Sequence, residues 1–261
     1  MTPLAFLTTV ATGANSATGI GASVRTTGDQ TYNNPTTLGP GASLQSTGGN
    51  ISLNGLVTAS GAVSLQAAGD LLFQNSGSFG TLTATAGGTV TLAGPLTANG
   101  AGDAIVLSGS RFVNSAGAGA LTATNGRWLV WSSNPDPFGG ATPDNRGGLA
   151  YNFKQYNATY PTTTVLGSGN GFLYALAPVV TPVLAGTVTK VYDGNTTATL
   201  VPANLTASGT IDGDTVVFSA AGATYDNRNV DINKTVTATG ISATASNGTA
   251  SVYGYTASST T

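Results

Sequence analysis

Three stretches decide the fold: ASLQSTGGNISLNG at residues 42–55, AVSLQAAGDLLFQNSG at 62–77 and TLTATAGGTVTLAG at 81–94. Each opens on an alternating apolar/polar strand and runs into a Gly-centred turn: Gly48-Gly49-Asn50, Gly69-Asp70 and Gly87-Gly88. A second alternating strand follows the turn: Ile51-Ser52-Leu53, Leu71-Leu72-Phe73 and Val90-Thr91-Leu92. Alternation of period two marks a half-buried strand, and a recurrence near 20 residues marks a repeat architecture. Leu44, Val63 and Leu82 stand 19 residues apart and read as one position of successive rungs.

One such rung cannot bury its own Leu, Val and Ile side chains. Stacking rungs about 4.8 Å apart pairs every strand with its neighbours and closes an apolar interior. The expected fold over residues 1–133 is therefore a right-handed parallel β-helix. An antiparallel sandwich could use the same short strands, but hairpins need no fixed long period.

Composition fits an all-β chain. Charged residues make up 7% of the 261 positions, against roughly a quarter in an ordinary domain. Glu, His and Cys are absent, and all ten acidic residues are Asp. Without His or Cys there is no imidazole base, thiol nucleophile, disulfide or zinc cluster. A net charge of −2 with scattered Lys and Arg offers no basic stripe, so no nucleic-acid partner is expected. No apolar run reaches the length of a membrane-spanning helix. The opening residues lack a positive n-region, so they do not read as a signal peptide, and Met1 reads as the start of an excised piece.

The texture changes after residue 133. Residues 134–176 are rich in Pro, Gly and aromatic side chains and read as an irregular connection and cap for the open solenoid end. Residues 177–183 carry Pro178 and Pro182 and read as a stiff linker. Residues 184–261 read as a small antiparallel β-sandwich, Ig-like, with seven or so short strands. The clearest are at 187–191, 197–200, 215–219, 235–239 and 250–256.

The sequence Lys190-Val191-Tyr192-Asp193-Gly194-Asn195, then Gly213-Asp214-Thr215-Val216, residues 223–230 (ATYDNRNV) and Lys234-Thr235-Val236-Thr237 resemble the YDG repeat module of bacterial surface proteins. The rungs, together with residues 27–33 (TGDQTYN), 126–132 (GRWLVWS) and 153–157 (FKQYN), are similar to segments of filamentous-haemagglutinin-type exoproteins. That resemblance implies an internal or C-terminal piece of a large adhesin-like rod in the two-partner secretion class. Such a protein is exported through an outer-membrane β-barrel transporter and is secreted or held at the bacterial cell surface. The implied role is a rigid rod and spacer in adhesion or in a biofilm matrix, with self-association into fibres and a glycan or host-surface ligand as further partners. It is not expected to be an enzyme.

Candidate sites follow. Trp131, Tyr151 and Tyr156, within a run that also holds Trp128, Phe138, Phe153 and Tyr160, could form a platform on which sugars stack. Capping of the solenoid end is the competing reading and the favoured one. Strand alternation puts Trp128 and Val130 on one face and Leu129 and Trp131 on the other. Asp193 could join Asp212, Asp214 or Asp226 around Ca²⁺, yet Asp-Gly more simply marks hairpin turns at 193–194 and 212–213. No metal or cofactor is therefore expected. Asp136 and Asp144 form the least favoured candidate, a carboxylate pair for polysaccharide cleavage. Residues 167–171 (GSGNG) lack the Lys-Ser/Thr of a phosphate loop and read as a flexible connector.

Overall fold

The computed structural model describes residues 3–10, 13, 16–135 and 143–258. The chain forms two compact units, Met1–Leu176 and Ala177–Thr261. Among the described residues the single helical element is a 3₁₀ turn at Pro202–Asn204.

Unit 1 is a parallel β-solenoid of about seven turns. Its first face stacks Leu7–Thr9, Gln30–Tyr32, Ile51–Leu53, Leu71–Phe73, Thr89–Leu92 and Arg111–Asn114, all parallel. The second face stacks Thr18–Ile20, Thr36–Leu38, Val57–Ala59 and Gly77–Phe79. The long strands Leu96–Ser108 and Leu121–Ser132 then turn the corner and serve the second and third faces in one run. The third face begins with Val24–Thr26, Ser43–Ser46, Ala62–Ala67 and Thr81–Ala86.

The register shows how the repeat works. On the third face Leu44, Leu65, Ala84, Leu107, Val130 and Phe172 form one continuous column. All six are buried. Each large member contributes about 1.5–3 kcal/mol by leaving water. Leu44 pairs with Leu65, 21 residues on, and not with Val63 as equal 19-residue spacing suggests. Val63 stacks on Leu82 instead. Rung length varies because the corners hold different numbers of residues, while the pleat keeps inward parity constant.

The solenoid also runs further than its repeat. Phe153–Gln155 and Gly171–Tyr174 are strands of the third face, and Gly171–Tyr174 lies between Leu121–Ser132 and Phe153–Gln155. The expected irregular cap is thus partly regular. Phe172 continues the apolar column of the third face, and the column ends on the buried Lys154.

Polar side chains tie the corners together. Asp29 Oδ1 accepts the Asn50 N–H, Asn50 Oδ1 accepts the Asp70 N–H, and Asp70 Oδ1 accepts the Thr89 N–H, each at 2.7 Å. A Cβ on Gly69 or Gly88 would collide with the Asn50 or Asp70 side chain, so a glycine must precede each of these corner positions. On the next corner the Asn54 amide donates to Asn33 Oδ1 at 2.8 Å, and the Asn75 amide donates to the Asn54 carbonyl at 3.0 Å.

Unit 2 holds two small sheets. Val179–Leu184 pairs antiparallel with Leu205–Ser208 and parallel with Thr256–Ala257. Thr215–Tyr225, Val236–Asn247 and Ala250–Tyr253 form an antiparallel meander. Val180, Val216 and Phe218 make the core between them, with Leu205, Ala207, Ile241, Ala245 and Tyr255 packed against it. Two sequence expectations are corrected here. The proposed linker at 177–183 lies largely within the strand Val179–Leu184, because Val179 and Val180 have strand partners despite Pro182. The strands expected at 187–191 and 197–200 are absent, save for a bridge from Thr197 to Thr224.

Candidate functional site

Two clusters of side chains stand out, one in each unit. In unit 1, Phe172 is the hub of a ring cluster. Its ring lies 5.2 Å from Trp128, 5.4 Å from Tyr151, 6.1 Å from Phe112 and 6.2 Å from Tyr174. Mostly edge-on or tilted contacts suit the aromatic quadrupole. The Arg146 guanidinium sits 5.6 Å from the Tyr151 ring and 5.8 Å from the Phe172 ring.

This packing leaves little of the candidate sugar platform exposed. Trp131 is 5% exposed and Tyr156 1% exposed, while Tyr151 is half-buried. Trp131 does have the opposite parity to Trp128, but Tyr160 packs edge-on against it at 5.5 Å, the ring planes 65° apart. Tyr156 stacks on Tyr174 at 5.7 Å, and the Lys154 ammonium lies 5.8 Å from the Tyr156 ring centroid. Alternation read from one strand cannot anticipate a later segment folding over its outer face. The three residues share a region but offer no common open surface.

Asp144 lies buried beside this cluster. Its Oδ1 accepts the Phe112 N–H at 2.8 Å and its Oδ2 accepts the Ser132 hydroxyl at 2.5 Å. Burial pushes its carboxyl up to about 6, opposed by those two hydrogen bonds and by the Arg146 and Arg111 charges. Asp136 and Phe138 lie outside the described residues, so no carboxylate pair can be drawn. Residues 167–171 form a rung corner: Arg127 Nη1 donates to the Gly167 carbonyl at 2.8 Å and the Trp128 N–H donates to Asn170 Oδ1 at 3.0 Å.

In unit 2 the YDG sequence is a turn organised by a lysine. Lys190 Nζ donates to Asp193 Oδ1 at 2.7 Å, and to the Asn195 carbonyl and Oδ1 at 2.8 Å each. It also lies 5.7 Å from the Tyr225 ring centroid. Gly194 has φ +75° and the Asn195 N–H donates to Asp193 Oδ1 at 3.2 Å, the Asx-turn arrangement. The Lys190 hydrogen bond holds the Asp193 carboxyl below the usual range. This is a turn, as its residues suggest, though not a hairpin, since no paired strands flank it.

A second lysine repeats the pattern. Lys234 Nζ lies 2.8 Å from Asp226 Oδ1 and donates to Asn227 Oδ1 at 2.7 Å. The hydrogen bond from Lys234 lowers the Asp226 pKa. Asp214 accepts from the Asn247 amide at 2.9 Å and from the Tyr255 hydroxyl at 3.0 Å. The four aspartates proposed for Ca²⁺ are thus distributed among different partners, and no metal-capable group of three occurs among the described residues. Composition could not reveal the lysine hubs, but a Lys three residues before Asp193 and eight after Asp226 was the available signal.

Residues 177–261 match the family model of the YDG domain. No curated protein and no solved structure matches the chain.

Proposed function

We propose that this chain is a structural and adhesive segment of a large secreted bacterial surface protein, related to the filamentous-haemagglutinin-like exoproteins. The observation that carries this reading is the in-register stack with polar ladders along its corners. Such a stack resists deformation because each rung's backbone and corner side chains are bonded to the next. The YDG match to residues 177–261 supports the same reading, since its motifs resemble modules of surface proteins.

Export through an outer-membrane β-barrel partner is part of the proposal. The absence of cysteine suits a chain that crosses a membrane unfolded. We read the solenoid as right-handed, the sense that parallel crossovers between L-residue strands favour. We read unit 2 as an Ig-like sandwich with few strands. The chain acts without catalysis, by reach and by contact with other surfaces.

In the producing cells, in-frame removal of residues 1–261 should reduce surface attachment and biofilm mass while export of the remaining protein continues. Unchanged attachment at unchanged export would contradict the role.

A further inference from the structure

Unit 2 leaves much apolar surface in water. Val191 is 90% exposed, Ile232 82% and Val230 80%. Leu184, Tyr192, Tyr225, Val230 and Ile232 are among the side chains lining a groove of about 570 Å³ between the YDG turn and the segment after Tyr225. Isolated exposed apolar residues are ordinary, but several gathered along one groove indicate an interaction surface.

The walls of the groove are strand-like without being strands. Residues 187–191 read TVTKV, four of the five β-branched, and among the described residues no backbone–backbone hydrogen bond involves them. The Val188 carbonyl accepts only a side-chain bond, from the Tyr225 hydroxyl at 3.0 Å. Residues 227–234 likewise make no backbone–backbone hydrogen bond among the described residues. In 227–234 the Asn227, Asn229 and Ile232 N–H groups donate to neighbouring side chains. In 187–191 the row of amide and carbonyl groups, Val188 O apart, faces out beside exposed apolar side chains, the setting in which a protein accepts an added strand.

We propose that this groove is a self-association surface, in which residues 187–191 pair antiparallel with the same residues of a second copy. The inference rests on the structural and adhesive role and names the partner and the surface. Two features of the walls favour a second copy. Of the charges on the walls, Lys190 and Lys234 are neutralised within the chain by Asp193 and Asp226, and Arg228 is balanced by Asp231, so two identical surfaces meet without net repulsion. In a pairing centred on Thr189, Val188 faces Lys190 and Thr187 faces Val191, so no like charges are directly opposed. The contact is isologous and closes at a dimer. It joins two molecules side by side and does not propagate a fibre.

Sedimentation velocity on the full chain from about 1 μM to about 1 mM, a range matching weak specific pairing, tests this directly. The expected result is a reversible dimer whose formation slows hydrogen exchange at residues 187–191. Ile232→Asp, at an exposed position, should weaken dimerisation about tenfold or more with an unchanged β spectrum. Thr189→Pro removes a central N–H donor and should do the same. A monomer throughout the range overturns the proposal, and so does a dimer with no added protection at 187–191. If the chain stays monomeric while its in-frame removal still abolishes attachment, the self-association fails and the adhesive role stands.

Discussion

Phe172→Ala is expected to lower the stability of unit 1 by about 3–5 kcal/mol, the range for deleting a buried aromatic ring. Phe172 is fully buried and continues the column that runs from Leu44 through Leu65, Ala84, Leu107 and Val130. Its ring also touches Phe112, Trp128, Tyr151 and Tyr174. Truncation therefore removes burial and leaves a cavity that four other rings cannot all fill. For a unit of this size the melting temperature should fall by about 10 °C, read by calorimetry. Phe6→Ala, at a position 70% exposed, should change it little. A loss below about 1 kcal/mol for Phe172→Ala would mean that the ring cluster is loosely packed.

The second large effect concerns pH. An aspartate has a pKa of about 3.8 when unfolded, and burial raises that of Asp144 to about 6 in the folded chain. Between these values the folded state holds a proton that the unfolded state has released. Stability from this group is therefore greatest below pH 4, declines as pH rises through 6, and is flat above. The span is about 3 kcal/mol. Asp144→Asn keeps an acceptor for the Phe112 N–H and a partner for Ser132, so it should remove this slope. Denaturant midpoints measured from pH 4 to 7 would show a falling line for the wild-type chain and a level one for the variant. A wild-type line that rises with pH would contradict the assignment. Asp193 and Asp226, with lowered pKa values, act in the opposite sense and only at lower pH.

Much of unit 1 was readable because two periods coincide in it. The pleat fixes which side chains face in, and the Gly-centred corners fix where each rung ends. Leu53 and Phe73 were thus identifiable as stacked partners from residues alone, as the structure confirms. The corner residues Asp29, Asn50 and Asp70 were visible after their glycines, but their role in bonding one rung to the next depends on a neighbour about 20 residues away. The same limit explains Trp131. Its outward parity was legible, whereas the cover from Tyr160 comes from a segment with no repeat to announce it.

Unit 2 was harder. TVTKV at 187–191 has strand propensity, and propensity is overridden where no neighbouring strand supplies hydrogen bonds. The Asp193-Gly194 turn was legible since only two residues and a positive φ define it. The lysine at its centre was not, because a sequence motif does not reveal which atoms a flexible side chain reaches.

Engineered cysteines test the continuous parallel stack of unit 1 most directly. The chain has no native cysteine to interfere. Thr58 and Ser78 are outward-facing and directly paired between adjacent rungs of the second face. Parallel neighbours about 4.8 Å apart lie within the Cα range of a disulfide. Under mild oxidation Thr58→Cys/Ser78→Cys should cross-link within one molecule, and Ser52→Cys/Ser78→Cys, on different faces, should not. Efficient closure of the second pair, or failure of the first in a folded chain, would contradict the solenoid and the role built on it.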